Sequence, residues 1–363
     1  MKPRALLRKE LIDALALTHL ACLWYALNHE EDEEKTRAVE LLRRVVDIGR
    51  VCPLGTPVDG GVQTSFARPC AEGARVKIAV HVHVFYPALW PEVRACLAHI
   101  AACVTRAALT VYATFPESDP ATGAALRADA LVDCAIPVGN YGYDVAPFFN
   151  VLDRLDLDCF DYVIKLHTKR DTPKCWVNFT PFEGGQWRRA LLSFCATPEA
   201  ARRTLAAFAR RPRLGMVAAR ALIDPSGVGA GRHPERAAAC VAALGLAPRG
   251  PVIVYGTMFM VRAALLKPAW RRVRQTDFSA PAVGREHEDF GLAGIWEGAF
   301  GMLVAAQGYA VSDGAGPETL DAVRMVLRRL RLLFLRRASD AARRLLGDTC
   351  FTRTLLAFRY GKS

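Results

Sequence analysis

The sequence predicts an α/β fold, a mostly parallel sheet flanked by helices. Three observations carry that expectation. Short β-branched and apolar runs recur from Lys77 onward, each long enough for a buried strand and too short for a helix. Stretches of helical periodicity separate them, which implies parallel strands joined by helical crossovers. Polar residues crowd the end of the run Tyr162, Val163, Ile164, Leu166, namely His167, Thr168, Lys169 and Arg170. In an open α/β sheet, ligands bind in the crevice beyond the carboxyl ends of the strands.

In chain order, residues 1–74 read as a helical region and linker. Leu11, Leu15, Leu20 and Leu23, then Val39, Leu42 and Val46, fall near helical spacing, and 52–73 is rich in Gly, Pro and small polar residues. A domain over 75–315 follows. Its first strand places Ile78, Val80, Val82 and Val84 on one face and His81, His83 and Phe85 on the other. A helix carrying Val93, Leu97 and Ile100 comes next, then strands at 109–115 and 131–138, and the strand that leads into His167. Helices are expected at 185–194 and 198–210, and a short strand at 214–218. One strand over 252–262 has Gly256 in its middle, where a backbone can approach a ligand closely. A helix within 286–307 opens on acidic residues, which suit its positive N-terminal end. Residues 316–363 form a basic amphipathic helical tail: Leu320, Val323, Leu327, Leu330 and Phe334 make a stripe surrounded by arginines.

With 363 residues, the chain has room for one sizeable α/β domain and its appendages, or for two domains. A hydrophobic content of 52% excludes general disorder, and the formal charge of +12 points to an anionic partner. No recognisable DNA or RNA motif accompanies that charge, so nucleic acid is not expected. The 11 cysteines are odd in number and lack any C-x-x-C pair, which reads as reduced, mostly buried thiols in a cytoplasmic protein. The apolar run 14–27 is too short to span a bilayer.

Several residues can carry chemistry, each with a plainer alternative. Asp144 either caps a helix or holds a sugar hydroxyl or a metal in the cleft. Asn140 either shapes a loop or joins that site. His83, with His81, is an interior or cleft-lining histidine rather than a metal ligand, because no further ligands stand at a familiar spacing. His167 and Lys169 alternate along one strand face and suit a diphosphate whose charge grows as its bond to a sugar breaks. Arg170 can assist; Trp187 with Arg188 is a weaker candidate. In the stretch 285–290, Asp289 first and Glu288 second are candidates for a general base, the alternative being helix N-terminal charge. The basic tail either docks on the domain or lies on an anionic membrane surface, and the sequence favours membrane contact.

Five stretches in consistent order make the chain resemble the rhamnan synthesis protein F family of bacterial polysaccharide glycosyltransferases. They are H-V-H-V-F-Y at 81–86, N-Y-G-Y-D-V-A-P-F at 140–148, D-Y-V-I-K-L-H-T-K at 161–169, R-L-G-M-V at 213–217 and G-T-M-F-M-V-R at 256–262. The resemblance implies a GT-A-like, that is Rossmann-like, sheet. It further implies transfer of a sugar, such as rhamnose or another deoxyhexose, from a nucleotide-diphosphate donor to a lipid-linked or glycan acceptor. Donor-binding residues would be His167, Lys169, Asn140, Asp144, His83, Arg170 and Gly256. Where that superfamily commonly places two carboxylates for a divalent metal, this chain has H-T-K, so no metal or other cofactor is expected. Tyr141 and Met260 replace the Arg and Trp common in the family. The expected place of action is the cytoplasmic, inner face of the cell membrane. The alternative is a non-catalytic nucleotide- or glycan-binding subunit of a polysaccharide assembly complex.

Overall fold

A computed structural model describes residues 76–177, 180–226, 234–278, 291–315, 328–329 and 332–333. The expected N-terminal helices, the linker, the acidic cluster at 286–289 and most of the tail lie outside them.

A seven-stranded sheet forms the middle layer, in the order β11-β7-β10-β4-β1-β2-β3. These strands are β1 (Ile78–His83), β2 (Leu109–Pro116), β3 (Cys134–Val138), β4 (Tyr162–His167), β7 (Leu214–Val217), β10 (Phe259–Arg262) and β11 (Ala310–Ser312). Only β10 runs against its neighbours. This bears out the α/β fold with a mostly parallel sheet. Two small antiparallel pairs stand outside it: β5 (Thr172–Val177) with β6 (Thr180–Gly184), and β8 (Ile223–Asp224) with β9 (Ile253–Val254).

The alternation of β1 sorts the two faces. Ile78, Val80 and Val82, with Ile164 and Leu166 of β4, pack against α1 (Trp90–Cys103), α2 (Pro120–Ala128), α4 (Gln186–Leu192) and α5 (Pro198–Arg210). Ala79 and Val163 face the opposite layer, made of α3 (Val145–Arg154), α6 (Pro234–Ala243) and α7 (Gly291–Ala306). Val93, Leu97 and Ile100 bury the inner stripe of α1, as their spacing predicts. Under α3 and α7 lies an aromatic cluster in which Phe149 meets Trp296 edge to face at 4.8 Å and Phe148 meets Phe300 at 5.7 Å. Such pairs add about 0.5–1.5 kcal/mol each beyond the area they bury.

Two expectations are corrected. The run 252–262 is not one strand. Gly256 (φ +72°) and Thr257 (φ +49°) both adopt left-handed backbone and break it into β9 and the antiparallel β10. The described cysteines are free thiols, yet only Cys96 and Cys195 are buried, while Cys134 and Cys159 are exposed. Neither of the exposed pair belongs to an inward-facing position, so a general expectation of buried thiols fails there.

Candidate functional site

Chain order grows from β1 to β3 on one side and then returns to β4 on the other. The topological switch point therefore lies between β1 and β4, where an open α/β sheet binds its ligands. On the α3 and α7 face the paired strands begin apolar, with Ala79 beside Val163, and turn polar towards their carboxyl ends. His81 pairs with Lys165 and His83 with His167. Thr114 of β2 joins them, its hydroxyl lying 2.9 Å from His81 Nε2 and 3.0 Å from His83 Nδ1. The alternation in H-V-H therefore does direct both histidines to the cleft side.

The centre of this polar patch is Lys165, whose side chain is 0% exposed. Its ammonium ion-pairs with Asp144 and donates to the hydroxyl of Thr257 at 2.8 Å and to the Thr257 carbonyl at 3.1 Å. The Thr257 hydroxyl in turn donates to Asp144. Asp144 occupies the N-cap position of α3, but its side chain caps no backbone N–H there. The plain capping alternative does not account for it. Gly142 (φ +65°) and Tyr143 (φ +53°) supply the left-handed turn that delivers Asp144, rather than Asn140, which is exposed in the preceding bend. A β-branched residue such as Thr257 at positive φ is strained, and such strain clusters at functional sites.

Electrostatics sort the protonation states. Burial lowers the pKa of Lys165, while Asp144 beside it restores part of the charge. Asp144 is held well below the usual carboxylate range although burial works the other way. Burial also lowers His83 to about 4 and His167 to about 3. With both histidines neutral near pH 7, Lys165 is the cation that keeps Asp144 ionised. A ring at the position of His167 can meet a diphosphate as a cation or as a neutral hydrogen-bond donor, and burial favours the neutral form: the ring is 4% exposed, and desolvation outweighs the nearby carboxylate. Its Nδ1 lies 3.4 Å from Asp144 Oδ2, yet it is buried without a hydrogen bond.

The other predicted residues occupy the same edge in different settings. Thr168 ties the strand ends together, its hydroxyl accepting from the backbone N–H of Phe85 at 3.0 Å and of Tyr86 at 2.8 Å. Lys169 is partly buried and Arg170 exposed in the loop that follows. Arg188 braces that loop. It ion-pairs with Glu92 and Asp171 and donates to the Lys169 carbonyl at 3.2 Å. Trp187 is buried against Phe182, a packing role. Gly256 sits under α4, where a Cβ would press on Leu191, and its N–H donates to Glu297 at 2.6 Å. Asp289 and Glu288 lie outside the described residues.

Sequence reasoning missed Lys165, Thr257 and Glu297. A signal was present for two of them: Lys165 is the one charge inside an apolar strand, and Glu297 the one charge inside the helix Gly291–Ala306. A charged residue in a run that must be buried needs a partner. Thr257 offered no signal, because its role depends on a turn the sequence does not announce.

Among the described residues, no three His, Cys, Asp or Glu side chains converge on a point where a metal ion could be held. None of the described helices is long and apolar enough to cross a membrane. In the tail, Arg328 donates to the carbonyls of Ile223 at 2.7 Å and Ala221 at 2.8 Å, and Leu332 is buried, so these residues dock on the domain.

No curated protein matches the chain. The stretch G-T-M-F-M-V-R lies beyond the span matched by a family model, but the other four stretches, and with them β1, β4 and Asp144, lie inside it. Over residues 62–225 the chain matches the model of the family rhamnan synthesis protein F, which bears out the resemblance read from those stretches and connects the protein with polysaccharide synthesis.

Proposed function

We propose that this protein is a glycosyltransferase of GT-A-like fold that moves a sugar from a nucleotide-diphosphate donor to a growing surface glycan. The observation that carries the reading is the buried ionised centre at the switch point, Lys165 with Asp144, beside the unpartnered Nδ1 of His167. Buried polar atoms without a partner are rare and need an explanation. A sugar hydroxyl bound at the exposed edge of Asp144, with the His167 ring shifting to meet it, would provide one. Lys169 and Arg170, at the mouth of the same crevice, suit the diphosphate: their charge meets the negative charge that grows on the leaving oxygen. His83 and Asn140 border the sugar site.

Transfer proceeds without a divalent metal in this reading. A metal on the diphosphate needs several oxygen ligands, and the Asp144 carboxylate is already committed to Lys165 and Thr257. The protein works at the cytoplasmic face of the membrane. Arg328 and Leu332 hold the tail to the domain, whereas Arg329 is exposed and free to face anionic headgroups.

The test is a thermal-shift titration with a panel of nucleotide-diphosphate sugars, with EDTA and with manganese, on wild type and Lys169→Ala. A donor that stabilises the wild type in EDTA, and binds at least about tenfold more weakly to the variant, is the expected result. Stabilisation that requires manganese would refute the metal-free mechanism. No response to any donor would refute the glycosyltransferase reading.

A further inference from the structure

We propose that Glu297 is the general base that deprotonates the acceptor hydroxyl. The proposal rests on the glycosyl-transfer reading and adds a catalytic residue to it. Glu297 is the one charged residue of α7, a helix otherwise built of apolar residues and glycine. Gly301, one turn later on the same helix face, lets α7 lie against the backbone of Val252, where any Cβ would collide with the carbonyl oxygen. That close approach brings Glu297 Oε1 within 2.6 Å of the Gly256 N–H. Its other oxygen has no hydrogen-bond partner among the described residues.

Topology places the group at the correct edge. α7 runs directly into β11, which is parallel to β7, so the helix starts at the carboxyl edge of the sheet. Glu297 lies in its second turn. The charged and titratable groups around it are Asp144 at the start of α3, Lys165 in β4, Lys169 in the next loop and Tyr255 in the turn before Gly256. Burial raises the Glu297 carboxyl above its ordinary range. The Gly256 N–H opposes the shift, Asp144 adds to it, and the two lysines temper it. A carboxylate of raised pKa is the stronger base.

Glu297 Oε2 takes the proton of the acceptor hydroxyl, and the acceptor oxygen forms a bond to the anomeric carbon. The bond from that carbon to the diphosphate oxygen breaks, and the nucleoside diphosphate leaves with the electron pair. Glu297 then releases its proton to solvent. A single displacement of this kind inverts the anomeric configuration.

The variant that decides is Glu297→Gln, because glutamine still offers an oxygen to the Gly256 N–H and cannot take up a proton. With a donor identified by thermal shift, turnover should fall by about 10²–10⁴-fold, the contribution typical of a positioned base. Donor affinity should stay within about twofold. The fall of wild-type kcat with falling pH, set by a base that must be ionised, should disappear from whatever activity remains. Near-wild-type turnover in Glu297→Gln would overturn the proposal, and a large loss of turnover in Asp289→Asn beside it would return the base to the acidic cluster. Parallel loss of donor binding and turnover would also overturn it, since Glu297 would then only position the turn. A wild type that binds and transfers no sugar defeats the glycosyl-transfer reading itself, an outcome separate from the behaviour of the variant.

Discussion

Replacing Lys165 by Met tests whether the centre of the site is an ion pair rather than two polar groups near each other. Methionine keeps the unbranched bulk and removes the ammonium. Asp144 would then be a carboxylate 20% exposed, with the Thr257 hydroxyl as its remaining close partner. Breaking a buried pair from one side costs about 3–5 kcal/mol, and the residual exposure of Asp144 puts this case near the lower figure. For a domain of this size, that corresponds to a fall in Tm of roughly 6–12 °C. Asp144→Asn should cost a comparable amount, because it leaves the ammonium buried without its counter-charge. The double variant should be less damaged than the sum of the two by about 0.5–3 kcal/mol, the range for residues in direct contact. Urea unfolding at pH 7 measures all three. A Lys165→Met cost under about 1 kcal/mol, or strictly additive singles, would refute the assignment of Lys165 as the cation that holds Asp144.

Two further outcomes follow from the same geometry. His83 and His167, lowered to about 4 and about 3 by burial, resist protons that the unfolded chain accepts near pH 6.5. Stability should therefore fall with pH from about 6.5 down to about 4 for His83 and to about 3 for His167. The slope is close to 1.4 kcal/mol per pH unit for each ring while it stays neutral in the fold; His83→Gln should remove one such slope from urea unfolding curves at pH 5–6, and an unchanged slope would contradict the buried neutral state. Thr257→Val removes the hydroxyl that accepts from Lys165 and donates to Asp144, so it should destabilise by about 1–3 kcal/mol; thermal unfolding that matches wild type would show that the hydroxyl is not part of the network.

The sequence made the frame legible where burial is one-sided. The alternation of Ile78, Val80 and Val82 against His81 and His83 assigns both faces of β1, because a strand has a period of two. Val93, Leu97 and Ile100 do the same for α1. Reading failed where the backbone departs from regular structure. Gly256 and Thr257 sit inside an apolar run that looks like one strand, and only tertiary contact with Leu191 and Glu297 reveals a left-handed turn. His167 was legible as a polar group at the strand end but not in its charge state. Protonation depends on how deeply the ring is buried, and the sequence shows neighbours along the chain, not the layer above it. Lys169 and Arg170 drew attention because cations at a strand end suit a diphosphate. The more informative charge was Lys165, four residues before Lys169, inside the buried strand that these two follow.

That placement bears on how the site works. A cation at the loop could meet an anionic ligand at little cost, since water already solvates it. An ammonium inside β4 must be matched before any ligand arrives, and Asp144 matches it. The pair therefore contributes fixed dipoles rather than free charge, and in the proposed transfer reaction its members would not need to reorganise. Thr257 supplies both a hydroxyl and a carbonyl to Lys165, while the N–H of the residue before it is taken by Glu297. One strained turn thus links the carboxylate of α3, the ammonium of β4 and the carboxylate of α7. Displacing that turn would disturb all three at once. For the same reason, substitutions at Gly256 or Thr257 should alter donor affinity and turnover together, whereas Glu297→Gln, which keeps the turn, should separate them.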